Sequence, residues 1–81
     1  MEEAKRRANE RTFENWSERP SGGRRYWYDV PNRSGWRARY VKEVDAQEIT
    51  VRFAQEIYDP RGRLTEIHEK YPVDIGHRKV E

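Results

Sequence analysis

The sequence predicts an α+β fold in which one N-terminal helix packs on a four-stranded antiparallel β-meander. Residues 2–17 are rich in helix-forming side chains and contain neither Gly nor Pro. Residues 24–71 alternate apolar and polar side chains between short turn motifs, which is typical of half-buried strands. An alternative arrangement of the same segments is an SH3-like β-barrel with an N-terminal helix.

A chain of 81 residues is expected to form one domain. We assign residues 1–81 to that domain, with the helix and its linker in 1–23, the meander in 24–71 and a tail in 72–81. The tail has no clear hydrophobic period, so no element is predicted there.

The predicted helix carries one narrow apolar stripe. Its members recur at intervals of four residues, or lie beside that row, and a Pro-Ser-Gly-Gly segment at 20–23 ends the helix. The stripe consists of Ala4, Ala8, Thr12, Trp16 and Phe13. We expect this stripe to cover the apolar face of the sheet.

The register of the second and third predicted strands depends on the length of the loop between them. A four-residue loop at 45–48 places Tyr40 opposite Phe53. A two-residue loop would instead place Arg39 opposite Arg52, and like charges facing each other across a pair are unfavourable. We therefore expect the longer loop.

The other two turns complete the predicted meander. A five-residue loop at 31–35 sets Tyr28 opposite Ala38. The turn Asp59-Pro60-Arg61-Gly62 sets Ile57 opposite Thr65. With these registers the apolar alternate residues of all four strands share one face, and slipping any strand by one residue would expose its apolar set.

The opposite face is predicted to be polar, with a tryptophan among cations. One row across it contains Trp27, Arg39, Ala54 and His68, and a neighbouring row contains Arg25, Val41, Arg52 and Lys70. An exposed ring can stack on a base while nearby cations hold phosphates, so this face is a candidate surface for single-stranded nucleic acid. The predicted ligand-binding residues are Trp27, Arg25, Arg39, Arg52, His68 and Lys70.

Charge is unevenly distributed along the chain. The net charge is only +2, but residues 24–42 contain six basic side chains and a single acidic one, Asp29. This asymmetry favours a polyanionic partner, and a charged, solvated strand accounts for it equally well.

Composition also limits the chemistry of the chain. It contains no cysteine, so disulfides and thiolate metal sites are excluded. The two histidines, His68 and His77, form a weak metal signal, and we predict no metal, no cofactor and no catalytic residue. No long apolar run is present, so we expect a cytoplasmic protein without membrane contact.

Two segments resemble known families. Gly35–Phe53, GWRARYVKEVDAQEITVRF, resembles the strand pattern of Tudor and related SH3-like barrels, which implies an aromatic cage for a methylated side chain or a barrel that binds RNA or protein. Within residues 57–79, YDPRGRLTEIHEKYPVDIGHRK is similar to the end of TumE-like toxin proteins, where a strand hairpin leads into a histidine-containing tail. In that second segment only His77 and its basic neighbours match.

The expected function is that of a small non-catalytic binding module, with single-stranded RNA or DNA as its most specific candidate ligand. One alternative is a protein–protein interaction or oligomerisation module, for which a homodimer is a natural form. The other is a small ribonuclease of a toxin–antitoxin pair, in which His68, Arg39 and Lys70 share a face. That chemistry needs a second proton-transfer group, and His77 in the tail is the available one.

Overall fold

The computed structural model describes residues 2–80, which form one helix followed by an antiparallel sheet of six strands. Helix α1 spans Glu2–Phe13, and the strands are β1 (Asn15–Glu18), β2 (Arg24–Pro31), β3 (Arg37–Val44), β4 (Thr50–Tyr58), β5 (Leu64–Tyr71) and β6 (Gly76–Lys79). Each strand pairs with the next along the chain, so β1 and β6 are free edges. The α+β prediction is confirmed, whereas the count of four strands and the alternative of a closed barrel are wrong. Residues 1 and 81 of the predicted domain lie outside the described residues.

The first additional strand comes from the predicted helix. Glu14 adopts a left-handed conformation with φ of 71°, which ends α1 at Phe13 rather than at residue 17. The chain then turns back, and Trp16 pairs with Tyr26 across β1 and β2. The sequence placed Trp16 on the apolar stripe of the helix because of its four-residue spacing. In the structure Trp16 belongs to β1, and its ring packs beside that of Tyr26, with the ring centroids 6.2 Å apart.

The second additional strand comes from the predicted tail. Gly76 has a φ of 74°, a conformation that favours glycine, and it begins β6. β6 then runs antiparallel to β5, with His77 directly opposite His68. The segment 72–81, which the sequence left without an assigned element, therefore contains a strand at Gly76–Lys79.

Four hairpin turns share one backbone geometry. In each turn the N–H of the first residue donates to the carbonyl of the fifth at 2.9 Å, and the fourth residue has a positive φ. The turns are 19–23, 32–36, 45–49 and 59–63. Asp45 and Asp59 add a side-chain oxygen that accepts two backbone N–H groups of their own turns.

These turns place the strands in a register different from the predicted one. Tyr28 lies opposite Tyr40 rather than Ala38, and Tyr40 lies opposite Gln55 rather than Phe53. Both errors are slips of two residues, so the side chains of β2, β3 and β4 keep the faces that alternation assigned to them. The turn that begins at Asn32 accounts for the first slip, and the turn that begins at Asp45, together with a β-bulge between Glu43 and Val44, accounts for the second.

A β-bulge between Ile57 and Tyr58 changes the face of β5. Tyr58 pairs with Leu64, but Ile57 pairs with Glu66 rather than Thr65. Because strand side chains alternate between the two faces, one extra residue moves every following side chain of β5 to the opposite face. His68 and Lys70 consequently lie on the same side of the sheet as α1, and their predicted place on the polar side is wrong.

Helix α1 docks on β1 and β2 through a face that is largely polar. Asn9 and Phe13 are buried, whereas Ala4, Ala8 and Thr12 of the predicted stripe are exposed. Phe13 packs against Tyr26 and Tyr28, with ring centroids 5.8 and 5.4 Å apart. Phe13 is thus the single apolar anchor of a helix whose remaining contacts are hydrogen bonds and ion pairs.

A buried carboxylate, Glu48, holds the helix in place. It is only 4% exposed and accepts hydrogen bonds from Arg6 Nε at 3.3 Å, from Asn9 Nδ2 at 3.1 Å and from the Tyr26 hydroxyl. We call Arg6, Asn9, Tyr26 and Glu48 the Glu48 clamp. Glu48 occupies the positive-φ position (65°) that glycine fills in the other three turns, so its side chain offsets a conformation that is unfavourable for a residue with a Cβ.

The clamp makes the stability of the fold sensitive to acid. Burial raises the pKa of Glu48, but the hydrogen bonds from Tyr26, Asn9 and Arg6 outweigh it and hold that pKa below its ordinary value of 4.5. Burial and the bond to Glu48 raise the pKa of Tyr26 to about 12, so Tyr26 is a donor at neutral pH. The clamp therefore contributes fully above pH 4.5, and its contribution falls as pH drops through the folded-state pKa of Glu48.

We predict that Glu48→Gln lowers the free energy of unfolding at pH 7 by about 1–3 kcal/mol, because the buried network loses the negative charge and one of the two acceptor oxygens of the carboxylate. The difference between this variant and the wild type should shrink as pH falls below 4.5 and through the lowered folded-state pKa of Glu48. Urea unfolding between pH 3 and 7 measures both effects. Glu3→Gln, at a side chain that is 77% exposed, is the control, and a pH-independent difference for Glu48→Gln would contradict the prediction.

We also predict that Gly23→Ala destabilises the β2–β3 hairpin. A Cβ at residue 23 would lie 1.9 Å from the carbonyl oxygen of Val44, and that atom belongs to the backbone and cannot rotate away. The expected loss is at least about 1–3 kcal/mol, as for other overpacked sites. Thermal unfolding measures it, with Ser34→Ala in the exposed neighbouring turn as the control. An unchanged midpoint for Gly23→Ala would show that the close approach is absent.

Candidate functional site on the helix side of the sheet

The two faces of the sheet differ in what covers them. We call the face that carries α1 the helix side, and the opposite face the polar side. Because α1 packs mainly on β1 and β2 and reaches β3 through Lys42, most of the helix side of β3–β6 has no covering element among residues 2–80. One row across this open region contains Tyr40, Gln55, His68 and His77.

The polar side holds four of the six predicted ligand residues. Arg39 lies 2.8 Å from Asp29 through its Nε, and its guanidinium lies 5.7 Å from the centre of the Trp27 ring. The hydrogen bonds from Arg39 hold the pKa of Asp29 below its ordinary range. Arg39 thus contacts Trp27 as the sequence suggests, although Trp27 is directly opposite Val41.

The other two predicted arginines are also paired with carboxylates. Arg25 lies 3.4 Å from both Glu43 and Glu56, and Arg52 donates to Glu69 at 2.9 Å. The hydrogen bonds from Arg52 hold the pKa of Glu69 below its ordinary value, so both groups are charged at neutral pH. The three predicted arginines are therefore already neutralised by neighbouring carboxylates.

This network of ion pairs also covers apolar side chains. Val41 and Ala54 lie on the polar side and are fully buried, although no helix or second sheet packs on that side among the described residues. The stems of long charged side chains can shield apolar surface while their heads remain in water. The polar side is thus primarily a cover for this second part of the core.

The remaining two predicted residues, His68 and Lys70, lie on the helix side because of the bulge in the pairing of β4 with β5. His68 and His77 are direct cross-strand partners with ring centroids 4.5 Å apart. Each imidazole faces one carboxylate, with His68 Nε2 2.6 Å from Asp74 Oδ1 and His77 Nδ1 3.5 Å from Glu66 Oε1. We call these four residues the histidine cluster.

The carboxylates of the histidine cluster orient its rings. The backbone N–H of Gly76 and the His68 ring hold the pKa of Asp74 below its ordinary value, so Asp74 is a carboxylate at neutral pH. A carboxylate only accepts hydrogen bonds, so the His68 Nε2 that faces it carries a hydrogen. Nδ1 of His68 is then the nitrogen able to accept a proton.

Lysines on the helix side lack acidic partners. The Nζ of Lys70 lies 5.5 Å from the centre of the Tyr40 ring and 5.9 Å from that of Phe53. Lys42 donates to the neutral oxygen of Asn9 at 2.9 Å. Among the side chains of residues 3–80, no carboxylate lies within 4 Å of Lys5, Lys42 or Lys70.

A groove of about 750 Å³ separates α1 from the open part of the sheet. Its charged lining residues are Lys5, Lys42 and Glu48, and its lining also includes Ile49, Phe53 and Tyr71. Ile49 and Tyr71 are each 48% exposed, so the groove is open to ligands from the solvent. Its volume falls within the range of about 300–1,000 Å³ that is usual for small-ligand sites.

Sequence reasoning missed the histidine cluster. The segment before Pro72 favours a strand, and Gly76 favours a change of chain direction. Neither feature shows by itself that the chain reverses between His68 and His77 and so pairs them. Among residues 2–80, no group of three or more His, Asp or Glu side chains is arranged to hold a metal ion. The described helix is neither long nor apolar enough to cross a membrane.

The chain matches no protein-family model, and no similarity to a curated protein or a solved structure is found. Its function is therefore argued from the residues and their geometry.

Proposed function

We propose that this chain is a small binding module for single-stranded nucleic acid, and that the helix side of β3–β6 is its binding surface. The observation that carries the proposal is the placement of Lys42 and Lys70, both without carboxylate partners, beside the rings of Phe53 and Tyr71. Cations next to accessible rings suit a ligand that alternates phosphates with flat bases. A cytoplasmic location accords with such a ligand.

The two parts of a nucleotide have separate counterparts on this surface. Tyr71 offers a half-exposed ring beside Phe53, its direct cross-strand partner. Stacking of one base on an aromatic side chain is worth about 1–3 kcal/mol. Lys42 and Lys70 supply the cations for phosphates, and Lys5 extends them along the groove.

The polar side supports this function less well. A phosphate bound to Arg25, Arg39 or Arg52 would have to displace a carboxylate that is already in place. Four of the arginines on this side pair with four carboxylates, which offset most of its positive charge. The four carboxylates are Asp29, Glu43, Glu56 and Glu69, and the arginines are Arg25, Arg37, Arg39 and Arg52.

A protein partner, including a second copy of this chain, is the second candidate ligand. The observation that favours it is the exposure of Ile49 in the groove, at 48%, and of Val73, two residues after the groove residue Tyr71, at 65%. Exposed apolar surface on a small domain commonly marks an interaction site. A nucleic-acid ligand explains better than a protein partner why Lys42 and Lys70 have no carboxylate partner on this surface.

We predict that the double variant Lys70→Gln, Tyr71→Ala weakens binding of single-stranded oligonucleotides by about tenfold or more, since it removes one phosphate contact and one stacking ring. Fluorescence anisotropy with labelled ten-nucleotide RNA and DNA, at 50 and 200 mM salt, measures the effect. Affinity of the wild type should fall as salt rises. The matched control is Trp27→Ala, Arg39→Ala on the polar side, which should leave affinity within about twofold.

Three outcomes would contradict the proposal. Absence of binding at both salt concentrations excludes nucleic acid as the ligand. Loss of binding in the polar-side control, but not in the helix-side variant, assigns the ligand to the polar side. A concentration-dependent dimer in light scattering, together with no oligonucleotide binding, favours the protein partner.

A further inference from the structure

We propose that the histidine cluster is a catalytic acid–base site that cleaves single-stranded RNA bound on the helix side. This inference rests on the proposed function, because the cluster and the proposed binding surface share one side of the sheet. It goes beyond binding in assigning a reaction to His68 and His77. Neither histidine contributes to the core, and neither is needed for the phosphate and base contacts described above.

The geometry matches what two-step proton transfer within one reaction requires. The rings are neighbours, with centroids 4.5 Å apart, so a single phosphodiester can reach both. Each ring has one nitrogen toward a carboxylate and the other nitrogen away from it. An imidazole whose far nitrogen is held by a carboxylate is oriented for proton transfer and stabilised when it becomes charged.

The charged groups that face the pair come from β5, from the loop after it and from β6. Asp74 contacts His68, Glu66 contacts His77, and Lys79 lies opposite Glu66 across β5 and β6. Lys70 lies two residues from His68 on the same side of the sheet. The surroundings thus combine two carboxylates, which stabilise imidazolium ions, with two lysines, which attract phosphate.

The reaction is an internal transesterification. His68, whose Nδ1 is free to accept, takes the proton of a ribose 2′-hydroxyl as that oxygen attacks the adjacent phosphorus. The bond between phosphorus and the 5′-oxygen breaks, and protonated His77 donates its proton to the departing oxygen. The products are a 2′,3′-cyclic phosphate and a 5′-hydroxyl end. Atoms and charge balance without water, metal or oxidant.

Lys70 has a separate part in this reaction. As the 2′-oxygen attacks the phosphorus, negative charge develops on the non-bridging oxygens of the phosphate. A cation beside that phosphate stabilises the developing charge more than it stabilises the bound substrate. Lys70 therefore contributes to both binding and rate, whereas the two histidines contribute to rate alone.

A purely structural role for the pair would be to hold β6 against β5. Variants that keep a hydrogen-bonding side chain but cannot transfer protons separate the two roles. In His68→Gln the side-chain amide can still donate a hydrogen bond to Asp74. In His77→Asn a polar side chain still lies near Glu66. We expect His68→Gln and His77→Asn to remain folded, which circular dichroism and amide NMR spectra check.

The test incubates the purified full chain with a single-stranded RNA and with the DNA of the same sequence, without divalent cations. We expect the RNA to be cut to cyclic-phosphate ends and the DNA, which lacks the 2′-hydroxyl, to be bound and left intact. His68→Gln and His77→Asn should each lose about 100-fold or more of the cleavage rate while binding the DNA as the wild type does. Arg61→Gln, in an exposed turn, is the matched control, purified identically to exclude a contaminating nuclease.

A second substrate separates the two histidines. When the 5′-oxygen is replaced by sulfur, the leaving group needs no proton, so this RNA should restore the rate of His77→Asn but not that of His68→Gln. Equal rescue of both variants, or of neither, would overturn the assigned roles.

The failure of this inference is distinguishable from that of the proposed function. RNA that is bound but stays intact overturns the acid–base site and leaves the binding module in place. Failure to bind either RNA or DNA overturns both. Cleavage that is unchanged in both histidine variants shows that the activity does not come from this cluster.

Discussion

The docking of α1 through the Glu48 clamp is the constraint on which the rest of the structure depends. Glu48 sits at the one turn position where the other hairpins use glycine, and its buried carboxylate collects donors from two helix residues, Arg6 and Asn9, and from Tyr26. These contacts join α1 to β2 and to the turn between β3 and β4, and together with Phe13 they hold the helix over β1 and β2. The open helix side of β3–β6, and therefore the candidate site, is a consequence of that placement.

On the polar side no helix or second sheet covers the sheet among the described residues, so its apolar side chains are covered by charged ones. Val41 and Ala54 are fully buried there beneath alternating arginines and carboxylates. Individual exposed ion pairs contribute little, about 0–1 kcal/mol, but a network whose stems also exclude water from apolar residues serves a structural purpose. The two sides thus differ in their cations, since the arginines of the polar side pair with carboxylates, whereas Lys70 on the helix side lies beside aromatic rings.

The predictable parts of the fold are those governed by local patterns. Alternation assigned the correct faces to β2, β3 and β4, and the turn Asp59-Pro60-Arg61-Gly62 was identified from its residues. The bulge at Ile57 and Tyr58 depends on pairing across two strands, so the sequence did not reveal that His68 and Lys70 would reach the helix side. The helix interface was mispredicted because Asn9 is buried by hydrogen bonds to a residue far along the chain, Glu48. Of the six predicted site residues, these two therefore carry the present proposals.

The most direct test of the central claim, that ligands bind on the helix side, is a two-dimensional amide NMR titration with a DNA oligonucleotide, which the proposed chemistry cannot cut. The account predicts salt-sensitive shift changes that cluster at Lys42, Phe53, Lys70 and Tyr71 and extend to His77, with Trp27 and Arg39 unaffected. Shift changes centred on Trp27 and Arg39, or none at all, would contradict it.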